Sequence, residues 1–304
     1  MKRLFLGTAL FAACSSSAMA ATIGASVAWF DDNFLTTMRN AMQAGAEAQG
    51  HDIQFLDAQG DIGRQLSQIQ TLAAQDVDAI IINPVDTAAT QMMTKTAVDH
   101  GIPLVYVNRQ PEGNDLDNDN VVFVGSDQKL SGTLQMEAIA ERLDGKGNVA
   151  VMLGELSSGA THKRWDGVKE VAAEYPDLDI VAEQPADYQR TDAINLMNNW
   201  IVGGEQIDAV AANNDEMALG ALIAMKQSGI SPDEILVGGI DATRDALESM
   251  QRGELAVTVF QDAEGQGGGA VQAAIDMVNG EPVDDINMVP FQLVTPENLD
   301  DFLN

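Results

Sequence analysis

Short apolar runs alternate along this chain with longer segments whose apolar residues recur every three to four positions. The runs at 22–28, 52–57, 78–82, 103–107, 121–124, 147–152, 178–183, 207–212, 235–240 and 255–260 read as strands. Several are apolar throughout, as strands buried on both faces are. The amphipathic patterns at 33–49, 62–74, 88–99, 128–143, 163–174, 190–201, 214–228, 242–251 and 264–279 predict helices. Strands alternating with helices of this length predict an α/β protein with parallel sheets covered on both faces.

The pattern also repeats. Val77-Asp78-Ala79-Ile80 leads to Asn83, and Ile207-Asp208-Ala209-Val210 leads to Asn213, Asn214 and Asp215. A second echo joins "PLVYVNRQ" (103–110), which ends on Asn108 and Arg109, to "EILVGGIDATRD" (234–245), which contains Asp241. Two similar halves, each with polar groups at its strand ends, describe a ligand clamp, because open parallel sheets bind ligands beyond the carboxyl ends of their strands. No segment reads as a flexible linker; "PEGNDLDNDN" (111–120) reads as a surface turn. The halves are therefore expected to be joined by three crossing strands, near Ser126-Asp127, Gln261-Asp262 and 289–295. That divides the chain into one lobe of 21–126 plus 262–290 and another of 127–261 plus 291–304.

The first twenty residues change the picture. Lys2 and Arg3, an apolar stretch from Leu4 to Ala13, and Ala18-Met19-Ala20 form the pattern of a cleaved secretory signal. Lipidation at Cys14 is the rival reading, and Phe11 fits that motif poorly. Cleavage after Ala20 removes the only cysteine, so the mature chain is expected to hold neither disulfide nor thiol. No later run of 18 apolar residues is present to span a bilayer. Without Lys2 and Arg3, 14 basic residues face 46 acidic ones, a net charge of −32. Such a surface repels phosphates and anionic headgroups, which argues against nucleic-acid or membrane-surface binding. The acids are scattered, as on a solvated face.

Enzyme motifs are largely missing. There is no G-x-S-x-G, H-E-x-x-H or P-loop, and "GQGGGA" (265–270) does not fit G-x-G-x-x-G. His51, His100 and His162 are isolated in sequence, and no metal or cofactor is expected. A glycosidase carboxylate pair is not excluded by counting, though nothing specific supports one. What stands out is the chemistry a polyol needs: apolar plates for its C–H faces and bidentate polar groups for its hydroxyl rim. Trp29-Phe30-Asp31-Asp32-Asn33-Phe34 supplies both, although one of 31–33 also caps the helix that follows. Asn83-Pro84 reads equally as a turn, Asp241 as a helix cap, Arg164 as a surface helix residue, and Tyr188 as packing. Arg109 directly follows an apolar strand, so it is either paired with a buried carboxylate or offered to a ligand.

The phrases "DAIIINPVD" (78–86), "VNRQ" (107–110), "EQPADYQR" (183–190), "NNDEMALGAL" (213–222) and "GGIDATRDAL" (238–247) resemble the periplasmic sugar-binding proteins of ABC importers, ribose-binding type. "FDDNFLTTMRN" (30–40), "VTVFQDAEGQGGGA" (257–270) and "PFQLVTPEN" (290–298) look most like its inositol- and rhizopine-binding branch. The resemblance covers essentially the whole mature chain. It implies the type I periplasmic-binding fold of two Rossmann-like lobes, and ligand contacts at Asp32, Phe34, Asn83, Asn108, Arg109, Arg164, Tyr188, Asn214, Asp241 and Gln261. Phe34 and Tyr188 would be the stacking plates. Asp32 stands where the ribose binders have Asn, Leu35 where they have Phe, Asn108 where they have Asp, and Tyr188 where they have Phe. These departures put ribose in doubt and leave a cyclic polyol. The expected protein is a periplasmic, monomeric solute binder without turnover that delivers a cyclitol or monosaccharide to an ABC permease. Delivery to a chemoreceptor is compatible with that. A sugar-responsive repressor core shares the architecture, but the leader and the missing DNA-binding head oppose it.

Overall fold

A computed structural model describes residues 20–303. The expected leader, apart from Ala20, and Cys14 lie outside the described residues. The chain opens with β1 (Thr22–Val27), α1 (Asn33–Ala48), β2 (Asp52–Asp57), α2 (Ile62–Ala74), β3 (Ala79–Asn83), α3 (Gln91–Asp99), β4 (Leu104–Val107) and β5 (Val121–Gly125). It continues with α4 (Gln128–Arg142), β6 (Lys146–Leu153), α5 (Gly159–Ala172), β7 (Asp177–Pro185), α6 (Arg190–Gly203), β8 (Ala209–Ala212), α7 (Asp215–Ser228), β9 (Leu236–Gly238), α8 (Arg244–Gln251) and β10 (Thr258–Phe260). Helix α9 (Ala263–Val278) and strands β11 (Ile286–Met288) and β12 (Gln292–Val294) complete it.

The strands form two parallel sheets. One has the order β11-β5-β4-β3-β1-β2; the other runs β7-β6-β8-β9 and is extended by the antiparallel pair β10-β12 through bridges at Gly238–Val257 and Asp241–Phe260. The echoes in sequence become equivalence in space: β3 and β8 each lie beside the first strand of their sheet, and β4 and β9 lie beside them in turn. These central strands are buried on both faces, which is why they read as unbroken apolar runs. Ile80 and Ile82 face the side covered by α2 and α3, while Ile81 faces the side covered by α1 and α9. Each is at most 1% exposed, so each contributes roughly 1.5 to 3 kcal/mol of burial.

Helices pair across the sheet faces as α1 with α9, α4 with α5 and α6 with α7. The α4–α5 pair bears on the site. Gly132 lies against the backbone carbonyl of Arg164, and Gly167 against that of Lys129, so a Cβ at either position would drive into main chain. Two missing side chains bring α5, and with it Arg164, against the start of α4.

The chain passes between the sheets three times: after β5 at Ser126–Asp127, after β10 at Gln261–Asp262, and between β11 and β12. The structure shortens the expected helix 88–99 to Gln91–Asp99 and the expected strand 255–260 to Thr258–Phe260, and two further elements differ. β11 carries no strand signal in sequence, because Ile286 and Met288 are exposed on a three-residue edge strand that follows two acids. α5 begins at Gly159, before the apolar period of its sequence starts. The 111–120 segment includes a helical turn at Asp115–Asp117, anchored by a Thr90 Oγ1 donation to the buried Asp115 carboxylate at 2.8 Å.

Candidate functional site

The carboxyl ends of the two sheets face each other and enclose a cavity lined by Asp32, Phe34, Leu35, Asn108, Arg109, Gln128, Ala160, Arg164, Tyr188, Asn214, Asp241 and Gln261. Nine of the ten residues singled out from sequence are in this lining. The space left among them is about 40 Å³, room for only a few water molecules, so the cleft is nearly shut and admits no polymer.

Asn83 is the exception. It is fully buried behind the lining, where its Oδ1 accepts from Ala28 N (3.3 Å) and its Nδ2 donates to Val107 O (3.3 Å) and Asn108 Oδ1 (3.2 Å). Asn108 Nδ2 in turn donates to Gln266 Oε1 (3.1 Å), and Gln266 Nε2 to Ser126 Oγ (2.9 Å). Asn83 therefore orients a lining residue.

Two residues that line the cavity also cap helices. Asp32 Oδ1 accepts from Leu35 N at the start of α1, and Asn214 Oδ1 from Met217 N at the start of α7. Asp241 is not a cap, since α8 begins three residues later with Thr243 at its cap position. The nearest cation to Asp241 is Arg164, at 3.9 Å. Three lining residues hold positive φ without being glycine: Asn108 at 64°, Tyr188 at 62° and Asp241 at 123°. Such backbone persists only where its surroundings fix it. Asn214 Nδ2 donates to Tyr188 O (3.3 Å), and the Tyr188 hydroxyl bonds Thr161 Oγ1 (2.7 Å). The loop carrying Asp241 is held by the buried Asp215, which accepts from Thr243 N (2.7 Å) and Thr258 Oγ1 (2.7 Å).

The expected pairing of Arg109 with a buried carboxylate is present. It lines the cavity and pairs with Glu155 across the cleft at 2.8 Å, while Glu155 also accepts from Trp29 Nε1 at 2.6 Å. Arg164 is held on its protein side: Nε donates to Gln128 Oε1 (2.8 Å), Nη2 to Gln261 Oε1 (2.9 Å) and Nη1 to Asn213 O. Both guanidiniums lie near the Tyr188 ring, at 5.8 and 6.0 Å from its centroid. Further bonds join the lobes directly: Asn33 Nδ2 to Glu216 Oε1 (2.7 Å), Gly159 N to Thr87 Oγ1 (2.9 Å) and Ser157 Oγ to Val85 O (3.2 Å). The lobes are closed on one another.

Two carboxylates, Asp32 and Asp241, and two guanidiniums, Arg109 and Arg164, line the cavity, and burial acts on the carboxylates. Burial pushes Asp32 up from its ordinary value, against the Leu35 amide and Arg109, which pull it down. It pushes Asp241 well up despite Arg164, and nearby Asp215, Asp32 and Glu216 add to the rise. Gln128, Ala160 and Glu155 were not anticipated. Gln128 reads in sequence as an ordinary first-turn helix residue, and Glu155 lies in a loop with no pattern to mark it. Only the demand of Arg109 for a carboxylate pointed toward Glu155.

Two α/β lobes meeting at a polar cavity between their strand ends define a solute-binding protein. The chain belongs to the periplasmic binding protein domain family, whose model matches residues 23–282. It is 49% identical, over 99% of both chains, to a Rhizobium meliloti protein assigned to rhizopine binding. It is 35% identical to the ribose import binding protein of Bacillus subtilis, over 90% of this chain and 87% of that one. A solved ABC transporter solute-binding protein from Bacillus halodurans with bound myo-inositol superposes with a TM-score of 0.89 at 43% identity, covering 93% of this chain and 97% of that chain. The two-lobed fold and the solute-binding class expected from sequence are both borne out. Among the described residues no helix is long and apolar enough to cross a membrane.

Proposed function

We propose that this protein captures a cyclitol, myo-inositol or an aminoinositol of the rhizopine kind, in the periplasm and delivers it unchanged to an ABC permease. The observation that carries the reading is the cavity's polar balance. Asp32 and Asp241, which as carboxylates only accept, share a small closed space with Arg109 and amide groups, which suits a ring with hydroxyls around its whole rim. As a carboxylate, Asp32 can only accept, which favours a substituent beside it that only donates or carries positive charge, and an ammonium group does both. The likeness to the rhizopine-assigned and inositol-bound proteins supports the same choice.

In this reading the ten residues named from sequence act in two ranks, with Asn83 orienting and the others touching the ligand. Residues 21–126 plus 262–290 and 127–261 plus 291–304 move as lobes about the crossings near Ser126, Gln261 and Val289. A cleaved leader ending at Ala20 exports a monomer without turnover, and a chemoreceptor is a compatible second partner. The second reading is a pentose or hexose binder, which the likeness to the ribose import protein favours.

Calorimetric titration of myo-inositol, an aminoinositol, ribose, glucose and galactose tests the choice. We expect Kd on the order of 0.1 to 1 μM for a cyclitol, about 8 to 10 kcal/mol, and recovery of the compound unaltered. Tighter binding of ribose or a hexose than of either cyclitol refutes the assignment; a hydrolysed or oxidised product refutes the absence of turnover.

A further inference from the structure

Gln128 opens α4 and lines the cavity at 4% exposure, yet its Nε2 has no hydrogen-bond partner among the protein's groups. Gln261, 2% exposed on the same cavity, has the same unpartnered Nε2. The orientation of both amides is fixed by chemistry. A guanidinium can only donate, so the Nε and Nη2 of Arg164 each require an amide oxygen, at 2.8 Å from Gln128 and 2.9 Å from Gln261. Arg164 thus commits both oxygens and leaves both NH2 groups for something else. A buried donor left unsatisfied is costly, and the cavity is the side from which an acceptor can arrive.

We propose that Gln128, with Gln261, forms a donor pair that reads two hydroxyl oxygens on one edge of the bound polyol. The inference rests on the polyol reading of the site and adds a specificity residue and a positional rule to it. An ammonium or a methylene has no lone pair to offer an NH2 group. An amino substituent is therefore excluded from the edge held by Gln128 and Gln261 and confined to the edge near Asp32, in the opposite lobe. Hydroxyls that accept from the two amides keep their own O–H to donate to a carboxylate such as Asp241.

The test is a cycle of titrations. Wild type and Gln128→Met are titrated with myo-inositol and its mono-deoxy analogues, and with glucose and its mono-deoxy analogues. Gln128→Glu serves as a second variant because it keeps an oxygen for Arg164 and replaces the NH2 donor with a second, charged acceptor. Melting curves establish that each variant is folded. In wild type, at least one deoxy analogue of the bound series should bind about 10- to 100-fold more weakly than its parent. In the Gln128 variants the parent should weaken by a similar factor while that analogue loses little more. A deoxy penalty that survives in full, with all compounds weakened equally, shows that Gln128 only props Arg164 and overturns the proposal; so does unchanged parent affinity. If glucose binds and the inositols do not, the cyclitol reading fails and the glucose series decides Gln128. If inositol binds with penalties unchanged, the cyclitol reading stands and the proposal falls. Binding of neither series overturns both.

Discussion

Asp215→Asn should flatten the pH dependence of stability. Asp215 opens α7, is fully buried, and hydrogen-bonds only hydroxyls and a backbone amide, with no ion-pair partner among the described residues. Burial is the main force on its carboxyl, which is pushed from 3.8 up to about 7 against the pull of Thr258 and Thr243. The sign follows from proton counting. Between those values the folded protein holds a proton that the unfolded chain has released, so the stability this group contributes is complete below about pH 4 and is lost as pH rises through 7. A rise of about three units at 1.4 kcal/mol each makes the loss on the order of 4 kcal/mol, in a titration shared with the nearby Asp241. The substitution keeps an acceptor for Thr243 and offers an amide to the Thr258 hydroxyl, which can turn to accept. Urea unfolding without ligand at pH 5, 6, 7 and 8 reads the effect. The wild-type midpoint should fall across this range and that of Asp215→Asn should fall by much less, since both proteins share every other carboxylate. Parallel curves would refute the account of Asp215 as a buried acid.

Three further outcomes follow from the same geometry. Arg109→Ala and Asp241→Ala should each weaken cyclitol binding at least 100-fold with the fold retained by circular dichroism, because each removes a charged partner from a buried rim, at about 1.5 to 3 kcal/mol per bond; near-native affinity in calorimetry would misplace the pocket. Gly167→Ala should cost about 1 to 3 kcal/mol in urea unfolding by forcing α5 off α4, and it should weaken binding too, because Arg164 moves with α5. Aminoinositol affinity should fall as pH drops through the titration of Asp32, whose carboxyl burial holds above its ordinary value, since the proton and the ammonium compete for one carboxylate; Asp32→Asn should abolish that dependence in titrations from pH 4 to 8.

Much of this was legible in the chain. Central strands such as β3 and β4 are apolar on both faces, so their extents and parallel class follow from pattern alone, and the repeated phrases at 77–83 and 207–213 fall on equivalent strands. Edge elements carry weaker signals: β11 is three exposed or half-buried residues, and nothing in its composition separates it from loop. At the site, strand-end position found Asn108, Arg109 and Asp241, but it could not separate Asn83 from them. Whether a strand-end amide faces the cavity or stands behind it depends on the turn that follows, here the positive φ of Asn108. Gln128 was hidden for the opposite reason, because it follows a crossing in the chain and no strand ends on it.

The division of labour among the charged groups bears on the closing motion proposed above. A site that binds by closing must keep the contacts between its lobes weaker than the contacts each lobe makes with the ligand, since a ligand shifts the equilibrium only by its differential affinity for the closed form. Arg164 is committed within its own side of the cleft, to Gln128, Asn213 and Gln261, and survives opening with those partners intact. Arg109 donates to Pro84 O and Val85 O on its own side and also pairs across the cleft with Glu155, a pair that opening would leave to water. One guanidinium thus builds the binding surface and the other ties its state to closure. Exposed ion pairs contribute little while buried ones depend on their partners, so the Arg109–Glu155 pair gains most of its value only once the cleft has excluded solvent. In the proposed closing motion the pair would reinforce the closed form.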